Sequence, residues 1–491
     1  MRDRRAWPAA TVAIAASIGI LGLTPPSAQA QDGPLAGILP ELILHEIILL
    51  QGRLGPPHIA HFSPIEGNDA NNPAVGIVQA FTNQLATQFA TFPLGSSTGG
   101  LTYVFDESLG TLRRSSASFG PLFGERALTI GRGKLSAGFN YQRTSYSTFE
   151  GQDLRDGSIK FYLRHQDCCG FADPANFLGF SSVVGDGTRL NPPFEGDIIE
   201  AALSLTATTH TTALFVNYGL TSRWDLGLAV PVVKVNLDAG VEARIIRLVT
   251  STAPDTHTFE YGNPDRTLVV QRAGSATGIG DLVLRSKYRV LSGVGGGLAA
   301  AVDLRLPTGD ENNLLGTGGV QAKMLLIASS ERGRLAEHAN IGYTVAGGDG
   351  VGAPLGLSAA SIPDEINYSG GVEFMPNSRL TVIGDVVGRT LRNAGRLVLS
   401  SKQFQYVDPA ISTFDPALPV GCGGFRGGRC SIATFDEFDP RPGNLTLLLG
   451  TGGVKFNPFG NLLVSAAVLF PINDAGLRSR LSTMVGIDYA F

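Results

Sequence analysis

The sequence has little charge and, beyond its first 30 residues, no long apolar run. Only 16% of its 491 residues are Asp, Glu, Lys or Arg, and its mean hydropathy is positive. A transmembrane helix needs about 20 consecutive apolar residues, and the next most apolar stretch, Pro40 to Leu50, is too short. Transmembrane helices are therefore excluded after residue 30. The net charge of −4 gives no sign of a nucleic-acid partner.

The first 30 residues have the pattern of a secretory signal peptide. Arg2, Arg4 and Arg5 form a basic start, Ala9 to Leu23 is an apolar core, and Ala28 to Ala30 is an A-x-A cleavage site. We therefore expect residues 1–30 to be removed on export. No cysteine follows the site, so no lipid anchor is expected.

The last residues alternate in the way of a strand that crosses a lipid bilayer. Val485, Ile487, Tyr489 and Phe491 share one side of a period of two, and small or polar residues occupy the other. Tyr489 and the terminal Phe491 resemble the signal that the bacterial outer-membrane assembly machinery recognises. This pattern predicts the bacterial cell outer membrane as the location. A soluble secreted β-sandwich is the alternative, but its strands should not carry apolar residues outward so consistently.

Counting strands backwards from Phe491 predicts an all-β fold, a transmembrane antiparallel β-barrel of 12 to 14 strands over residues 133–491. Short turns alternate with long connections, at roughly Ser251 to Thr277, Pro307 to Gly316, Gly347 to Pro363 and Ser401 to Arg441. In bacterial barrels the short turns face the periplasm and the long loops face outward. The count is 12 unless Ser158 to His165 contributes a full strand, in which case it is 14.

One long strand changes the parity of its apolar residues. Trp224 and Leu228 lie at even positions, whereas Val233 and Val235 lie at odd positions, with Pro231 between them. Because proline lacks the N–H that a sheet ladder uses, the sequence predicts a β-bulge at Pro231.

The segment from residue 31 to 132 does not look like barrel wall. Ala74, Val78, Phe81, Leu85 and Phe89 recur at helical spacing, and the preceding proline suits a first helical turn. Three placements are open: a plug inside the barrel, a periplasmic segment, or partial disorder. The plug is favoured, and the apolar content argues against full disorder.

Alternation assigns a set of charged side chains to the lumen, because a charge facing lipid costs about 2–4 kcal/mol near the midplane. The predicted lumen-lining residues are Asp281, Arg285, Lys287, Arg289, Asp303, Arg305, Lys323, Glu373, Asp385 and Arg389. Asp488 follows the same rule. These charges either form a selectivity constriction or pair across a narrow lumen and hold the plug. The second interpretation is favoured.

All four cysteines fall in predicted external loops, and all are disulfide candidates: Cys168, Cys169, Cys422 and Cys430. Cys422 can close a loop with Cys430, and the adjacent pair can bridge to each other or across loops. A metal site using Asp167 and His165 is the alternative, but the spacing matches no standard zinc pattern. We expect no metal and no cofactor.

Two motifs carry a resemblance to a known family. They are Gly278-Ile279-Gly280-Asp281 with the strand that follows to Arg289, and Leu304 to Asp310 with Leu315 to Gly318. Over about residues 221–491 this pattern resembles the family called the MetA-pathway of phenol degradation, whose members are regarded as outer-membrane transporters. The resemblance implies passage of small hydrophobic or aromatic compounds across the outer membrane.

The expected function is therefore a monomeric outer-membrane channel for passive uptake of small hydrophobic compounds, aromatic ones included. Its expected partners are outer-membrane lipid, the assembly machinery and the transported molecules. The alternative is a structural or surface-binding barrel that uses the loops Ser147 to Asp197 and Ser401 to Arg441. An outer-membrane lipid-modifying enzyme built on His210 and Ser204 is less favoured, because no compact nucleophile and base signature surrounds them. We expect no catalytic residues.

Overall fold

The computed structural model describes residues 33–47, 50–51, 73–91, 93–96, 100–106, 111–164, 189–190, 197–247, 257–260, 265–293, 296–348, 361–408 and 429–491. Within these ranges, no helix is both long and apolar enough to cross a membrane. The predicted signal peptide lies outside them.

Twelve antiparallel strands form a closed ring. They are β1 (Leu135–Ser145), β2 (Asp197–Gly219), β3 (Trp224–Arg247), β4 (Leu282–Gly293), β5 (Gly296–Leu306), β6 (Val320–Arg332), β7 (Leu335–Gly347), β8 (Glu365–Asn377), β9 (Leu380–Leu391), β10 (Leu445–Phe456), β11 (Leu462–Pro471) and β12 (Ser482–Ala490). Each strand pairs with its neighbour in sequence, and β12 pairs with β1 to close the ring. The predicted all-β barrel is confirmed at the lower of the two strand counts.

The two ends of the barrel differ in their connections. Short turns join β2 to β3, β4 to β5, β6 to β7, β8 to β9 and β10 to β11, and we call this the short-turn end. All the remaining connections between consecutive ring strands lie at the opposite end, which we call the long-loop end. The chain terminus lies at the short-turn end, where the Phe491 N–H donates to the Leu135 carbonyl (2.8 Å). This bond ties the last strand to the first.

An apolar belt covers the outside of the ring. Its exposed members alternate with inward residues on every strand, and they include Phe139, Leu214, Val216, Leu226, Leu228, Leu284, Tyr288, Leu298, Val302, Met324, Leu326, Ile341, Val372, Val382, Val386, Val454, Val464, Val468, Val485 and Ile487. An exposed band of this kind is unfavourable in water and favourable in hydrocarbon. The ring is therefore a barrel of the transmembrane type.

Strands β2 and β3 extend well beyond the ring at the long-loop end. On β2 the extension pairs with the strand Ile159–Arg164, and on β3 it pairs with the strand Thr267–Ile279. The stretch Ser158 to His165 thus contains a strand, but that strand lies outside the ring. The predicted loop Ser251 to Thr277 is wrong in its second half, because Thr267–Ile279 is a strand.

The predicted bulge at Pro231 is wrong. Strand β3 pairs with β2 from Asp225 to Arg247 without a shift in register, and Pro231 lies opposite Ala213. On its other edge, β3 pairs with β4 up to Ala229 and with Thr267–Ile279 from Val232 onward. Pro231 therefore marks a change of partner. Even-numbered side chains point outward throughout, so the apolar residues move from the outer face to the inner face without any bulge.

The extension encloses an apolar core of its own. Val235, Leu237 and Val241 of β3 are buried there. The other main contributors are buried residues of β2, of the strand Ile159–Arg164 and of the N-terminal region. The N-terminal part consists of the helical turns Leu35–Gly37, Ile38–Pro40 and Glu41–His45 and the long helix Pro73–Ala90. The long helix confirms the helical spacing seen in the sequence.

The remaining described strands are not part of the ring. A hairpin between β9 and β10, Arg396–Asp408 with Arg429–Arg441, packs Leu397 and Phe438 into the core of the extension. The short strands are Leu50–Gln51, Tyr103–Asp106, Thr111–Arg114, Thr148–Phe149, Gln152–Asp153, Arg189–Leu190, His257–Thr258 and Leu477–Arg478.

Candidate functional site

Residues 115 to 131, which we call the lumen segment, lie inside the barrel lumen, and both ends of the segment are bonded near the short-turn end. Preceding it, the Tyr103 hydroxyl donates to Asn461 Oδ1 in the β10–β11 turn (3.1 Å). At its far end, the Ile130 N–H donates to Asp225 Oδ2 on β3 (3.0 Å). The segment has no regular secondary structure, so its buried N–H and C=O groups need partners from the wall.

Carboxylates on β8 and β9 bind the middle of the lumen segment. Asp385 Oδ2 accepts hydrogen bonds from the backbone N–H groups of Leu122 (3.1 Å) and Phe123 (3.2 Å). Glu373 accepts one from the Ser118 hydroxyl. Both carboxylates are almost fully buried. Because hydrogen bonds to a charged group are stronger than neutral ones, these two residues fix the segment firmly.

Lysines on opposite walls bind the carbonyls of the same segment. On β4, Lys287 Nζ donates to the Leu128 carbonyl (2.9 Å) and lies 3.9 Å from Asp225. On β10, Lys455 Nζ donates to the carbonyls of Pro121 (2.7 Å) and Phe119 (3.3 Å). The wall thus supplies acceptors for the N–H groups and donors for the C=O groups.

Two more contacts complete what we call the clamp, defined by Lys287, Asn340, Glu373, Asp385 and Lys455. The Glu125 N–H donates to Asn340 Oδ1 (2.7 Å), and Asn340 Nδ2 donates back to the Glu125 carbonyl (2.8 Å). A side chain on the adjacent Gly124 would meet His338 Nε2 at 2.6 Å. Any side chain at position 124 would therefore clash with the ring of His338.

His338 on β7 lies between the two clamp carboxylates. Its Nδ1 is 3.3 Å from Glu373 and its Nε2 is 3.5 Å from Asp385, and the ring is fully buried. Within the lumen segment, Arg126 donates to the carbonyls of Gly100 (2.6 Å) and Ser118 (3.0 Å). The guanidinium of Arg126 is protonated and therefore supplies only donors.

A second charged group lies on β4 to β6. Arg285 binds Asp303 through two nitrogens (both 2.5 Å) and also contacts Glu125 of the lumen segment. Lys323 lies 3.3 Å from the same Asp303. Two cations and two carboxylates therefore compensate one another, which is the arrangement that makes a buried ion network tolerable.

The other predicted lumen residues occupy varied positions. Arg305 Nη1 donates to the Ala90 carbonyl (3.1 Å), and Arg389 Nη1 donates to the Thr91 carbonyl (2.8 Å). Arg289 donates to the Ser222 carbonyl at the short-turn end (3.2 Å).

Asp281 lies in a different setting, between the strand Thr267–Ile279 and β4. Its carboxylate accepts bonds from the N–H of Gly309 (3.1 Å) and the N–H of Thr317 (2.9 Å). The Leu282 N–H donates to the Thr308 hydroxyl (3.0 Å). The two sequence motifs that carry the family resemblance therefore meet at this β5–β6 loop.

Sequence reasoning missed several residues of this site. Asn340, Lys455 and Glu365 could have been found, because they alternate with outward apolar residues on predicted strands. Glu125 lies in an irregular segment, where no periodicity assigns a side chain to a face. Arg478 follows a turn and gave no signal either.

Above the clamp, towards the long-loop end, the lumen holds a cavity of about 200 Å³. The long helix contributes Gln88, and the chain just after it contributes Leu94 and Ser96. Strands β3 and β4 contribute Ala229 and Val283 where β3 changes partner. The cavity thus lies between the clamp and the core of the extension.

The remaining candidate residues lie elsewhere. The rings of Tyr489 and Phe491 are exposed and pack edge to face, with centroids 4.8 Å apart. On β2, His210 Nδ1 lies 2.6 Å from the Tyr141 hydroxyl. Cys168, Cys169, Cys422 and the side chain of Cys430 lie outside the described part of the structure. Within that part, no group of three or more potential metal ligands is present.

Fold and lumen together define a twelve-stranded transmembrane-type barrel that carries part of its own N-terminal region inside. The model of the family described as "Putative MetA-pathway of phenol degradation" matches residues 181–377, about two fifths of the chain. This match confirms the predicted resemblance, although it ends earlier than expected and begins before residue 221. It includes both motifs that meet at the β5–β6 loop. No curated protein matches the sequence.

Solved outer-membrane barrels resemble the chain only distantly. A Pseudomonas aeruginosa FadL homologue is 10% identical with a TM-score of 0.29, over 74% of this chain and 90% of that one. The CymD monoaromatic hydrocarbon channel is 9% identical with a TM-score of 0.30, over 74% and 89%. The toluene transporter TbuX of Ralstonia pickettii is 10% identical with a TM-score of 0.25, over 74% and 90%.

Proposed function

We propose that the chain is a bacterial outer-membrane channel for the passive uptake of small apolar or aromatic compounds. The observation that carries this proposal is the combination of the clamp with the cavity of about 200 Å³ above it. A barrel filled in this way cannot act as a wide aqueous pore. Its cavity provides a partly apolar binding site for one small molecule inside the membrane.

The apolar belt and the asymmetry of the two ends support the location. Bacterial outer-membrane barrels place short turns in the periplasm and long loops outside. The cavity would then lie on the exterior side of the clamp, and the terminal Phe491 would lie at the periplasmic side. Lipid, the assembly machinery and the transported compound are the partners of this proposal, and the barrel acts as a monomer.

Aromatic cargo is supported by the description of the matched family, which names phenol degradation. The cavity reaches the seam where β3 changes partner from β4 to Thr267–Ile279, and Ala229 and Val283 line it there. In this proposal, apolar molecules cross the barrel wall at this seam, and the clamp stays closed. The other route requires the lumen segment to leave Asp385 and Asn340.

Uptake in intact cells tests the proposal. Cells with a lipopolysaccharide outer leaflet would express the full chain, and entry of a labelled single-ring aromatic compound and of a labelled disaccharide would be followed. We expect the aromatic compound to enter faster than in cells without the protein, with no gain for the sugar. Sugar entry at porin rates would contradict the hydrophobic channel.

A second candidate is a surface-binding barrel without transport, which the size of the extension favours. Its apolar core joins β2, β3, the long helix and the hairpin Arg396–Asp408 with Arg429–Arg441. Such a body can present a binding face to the exterior. If neither compound enters, and deletion of that hairpin abolishes binding to a surface ligand, this second function replaces the first.

A further inference from the structure

The wall of the cavity has an apolar part. On one side Leu94 packs with Phe215 of β2 and Val283 of β4, and on another Phe123 packs with Leu449 of β10. An apolar cavity of about 150 Å³ is known to accept benzene. The volume of about 200 Å³ therefore suits a compound with a single aromatic ring.

The same wall has an excess of positive charge. Among the described lining residues, the cations are Arg285, Arg305, Lys323, Arg389 and Arg478, and the carboxylates are Glu125, Asp303 and Glu365. Arg285 and Lys323 are compensated by Glu125 and Asp303. Three arginines thus remain with Glu365, whose Oε1 lies 3.5 Å from Arg389.

Arg478 is buried, and its Nη2 donates to Asn473 Oδ1 in the same loop. It is 4% exposed, and its Nε has no hydrogen-bond partner among the described residues. Burial and then the charge of Arg389 lower the pKa of Arg478 to about 10, opposed by the charges of Glu150 and Asp474, and the guanidinium remains charged at neutral pH. A buried donor without a partner is costly, which points to a missing acceptor.

Gln88 on the long helix adds a second donor of this kind. Its Oε1 accepts a bond from the Leu477 N–H (2.9 Å), which fixes the orientation of the amide. The opposite atom, Nε2, is buried and has no partner within the described residues. Both unpartnered donors belong to side chains that line the cavity.

We propose that the cavity binds a small aromatic carboxylate, with the ring on the apolar wall and the carboxylate among Arg305, Arg389 and Arg478. Guanidinium groups suit this anion because their planar donors match two carboxylate oxygens. The inference rests on the proposed function only in placing the cavity on the uptake route.

Calorimetry on the purified full-length protein in detergent tests the inference, with benzoate as the probe and benzamide as its neutral counterpart. We expect saturable benzoate binding that is about 10-fold tighter than benzamide binding, because only the carboxylate makes hydrogen bonds in which both partners are charged. This comparison needs no variant, so it does not depend on how a mutant folds.

Two arginines of the same loop provide a matched pair of variants. Arg478→Gln should weaken benzoate binding about 10-fold and leave benzamide unchanged. Arg480→Gln is the control, because that side chain is 84% exposed. Equal binding of benzoate and benzamide, no saturable binding, or an equal loss in both variants would overturn the inference.

The carboxylate site and the channel function can be contradicted independently of each other. Benzoate binding without uptake of any aromatic compound leaves the carboxylate site in place and removes the channel. Uptake of neutral aromatic compounds by a protein that does not bind benzoate keeps the channel and removes the carboxylate site.

Discussion

Strand β3 is continuous from the ring into the extension, but its two faces exchange character. In the ring the apolar side chains face outward, and in the extension they face inward. In the ring, Leu226 and Leu228 point outward and Asp225 points inward, whereas in the extension Val235 is inside and Asn236 outside. The register with β2 is continuous through both halves. The polarity pattern therefore reports what surrounds the strand, and its reversal marks the place where the strand leaves the lipid.

The largest expected effect comes from placing a charge inside the extension. Val235→Asp would bury an unpaired carboxylate at a fully buried position, at a cost of about 4 kcal/mol or more. Hydrogen exchange of the β3 amides from residue 233 to 245 should rise sharply, while the ring amides stay protected. Asn236→Asp, one residue along and facing outward, should change neither. Equal protection in both variants would mean that the extension has no core.

The reverse substitution tests the lipid-facing half. Leu228→Arg places a charge on the apolar belt and should lower the free energy of unfolding by about 2–4 kcal/mol. Asn236→Arg, on the same face of the same strand above the reversal, should be nearly neutral. Denaturant unfolding in lipid vesicles measures both through the fluorescence of Trp224, the one tryptophan after the predicted signal peptide. If Asn236→Arg costs as much as Leu228→Arg, the lipid boundary does not lie at the reversal.

The ring could be predicted from the sequence because its wall repeats one rule. Each strand must hide alternate residues from lipid, so the pattern, the turns and the strand number follow together. The same rule misled at Pro231, since it assumes that the apolar face always faces outward. In the extension the outside is water and the inside is a core, and the parity of Val233 and Val235 reverses for that reason.

The site was less predictable than the wall. Alternation located Arg285, Glu373 and Asp385 on strands. Their partners Glu125 and Leu122 belong to an irregular segment, and a segment that takes its hydrogen bonds from the wall has no periodicity of its own. The sequence reasoning therefore supplied one half of each contact.

The polar interior of the ring can be weakened at the clamp. Asp385→Ala removes the acceptor of two buried N–H groups, each of which costs about 1–3 kcal/mol when it loses its partner. Faster hydrogen exchange at Leu122 and Phe123 should follow, with the strands themselves unaffected.

Asp439→Ala is the matched control for that carboxylate. Asp439 lies on the hairpin, partly exposed, beside Lys402 (3.2 Å) and Arg441 (3.1 Å). Exposed pairs of this kind contribute about 0–1 kcal/mol. Exchange at Leu122 that is unchanged in Asp385→Ala would show that the lumen segment does not depend on the clamp.

The smallest effect is expected at the boundary itself. Because β2 and β3 stay in register through Pro231, Pro231→Ala breaks no ladder bond of a bulge, and it only frees the unfolded chain slightly. The free energy of unfolding should change by less than about 1 kcal/mol. The Pro231 carbonyl would still accept the Gly280 N–H (2.8 Å), so the change of partner from β4 to Thr267–Ile279 should persist. Loss of exchange protection in Thr267–Ile279 alone would instead make Pro231 the residue that divides the two halves of the strand.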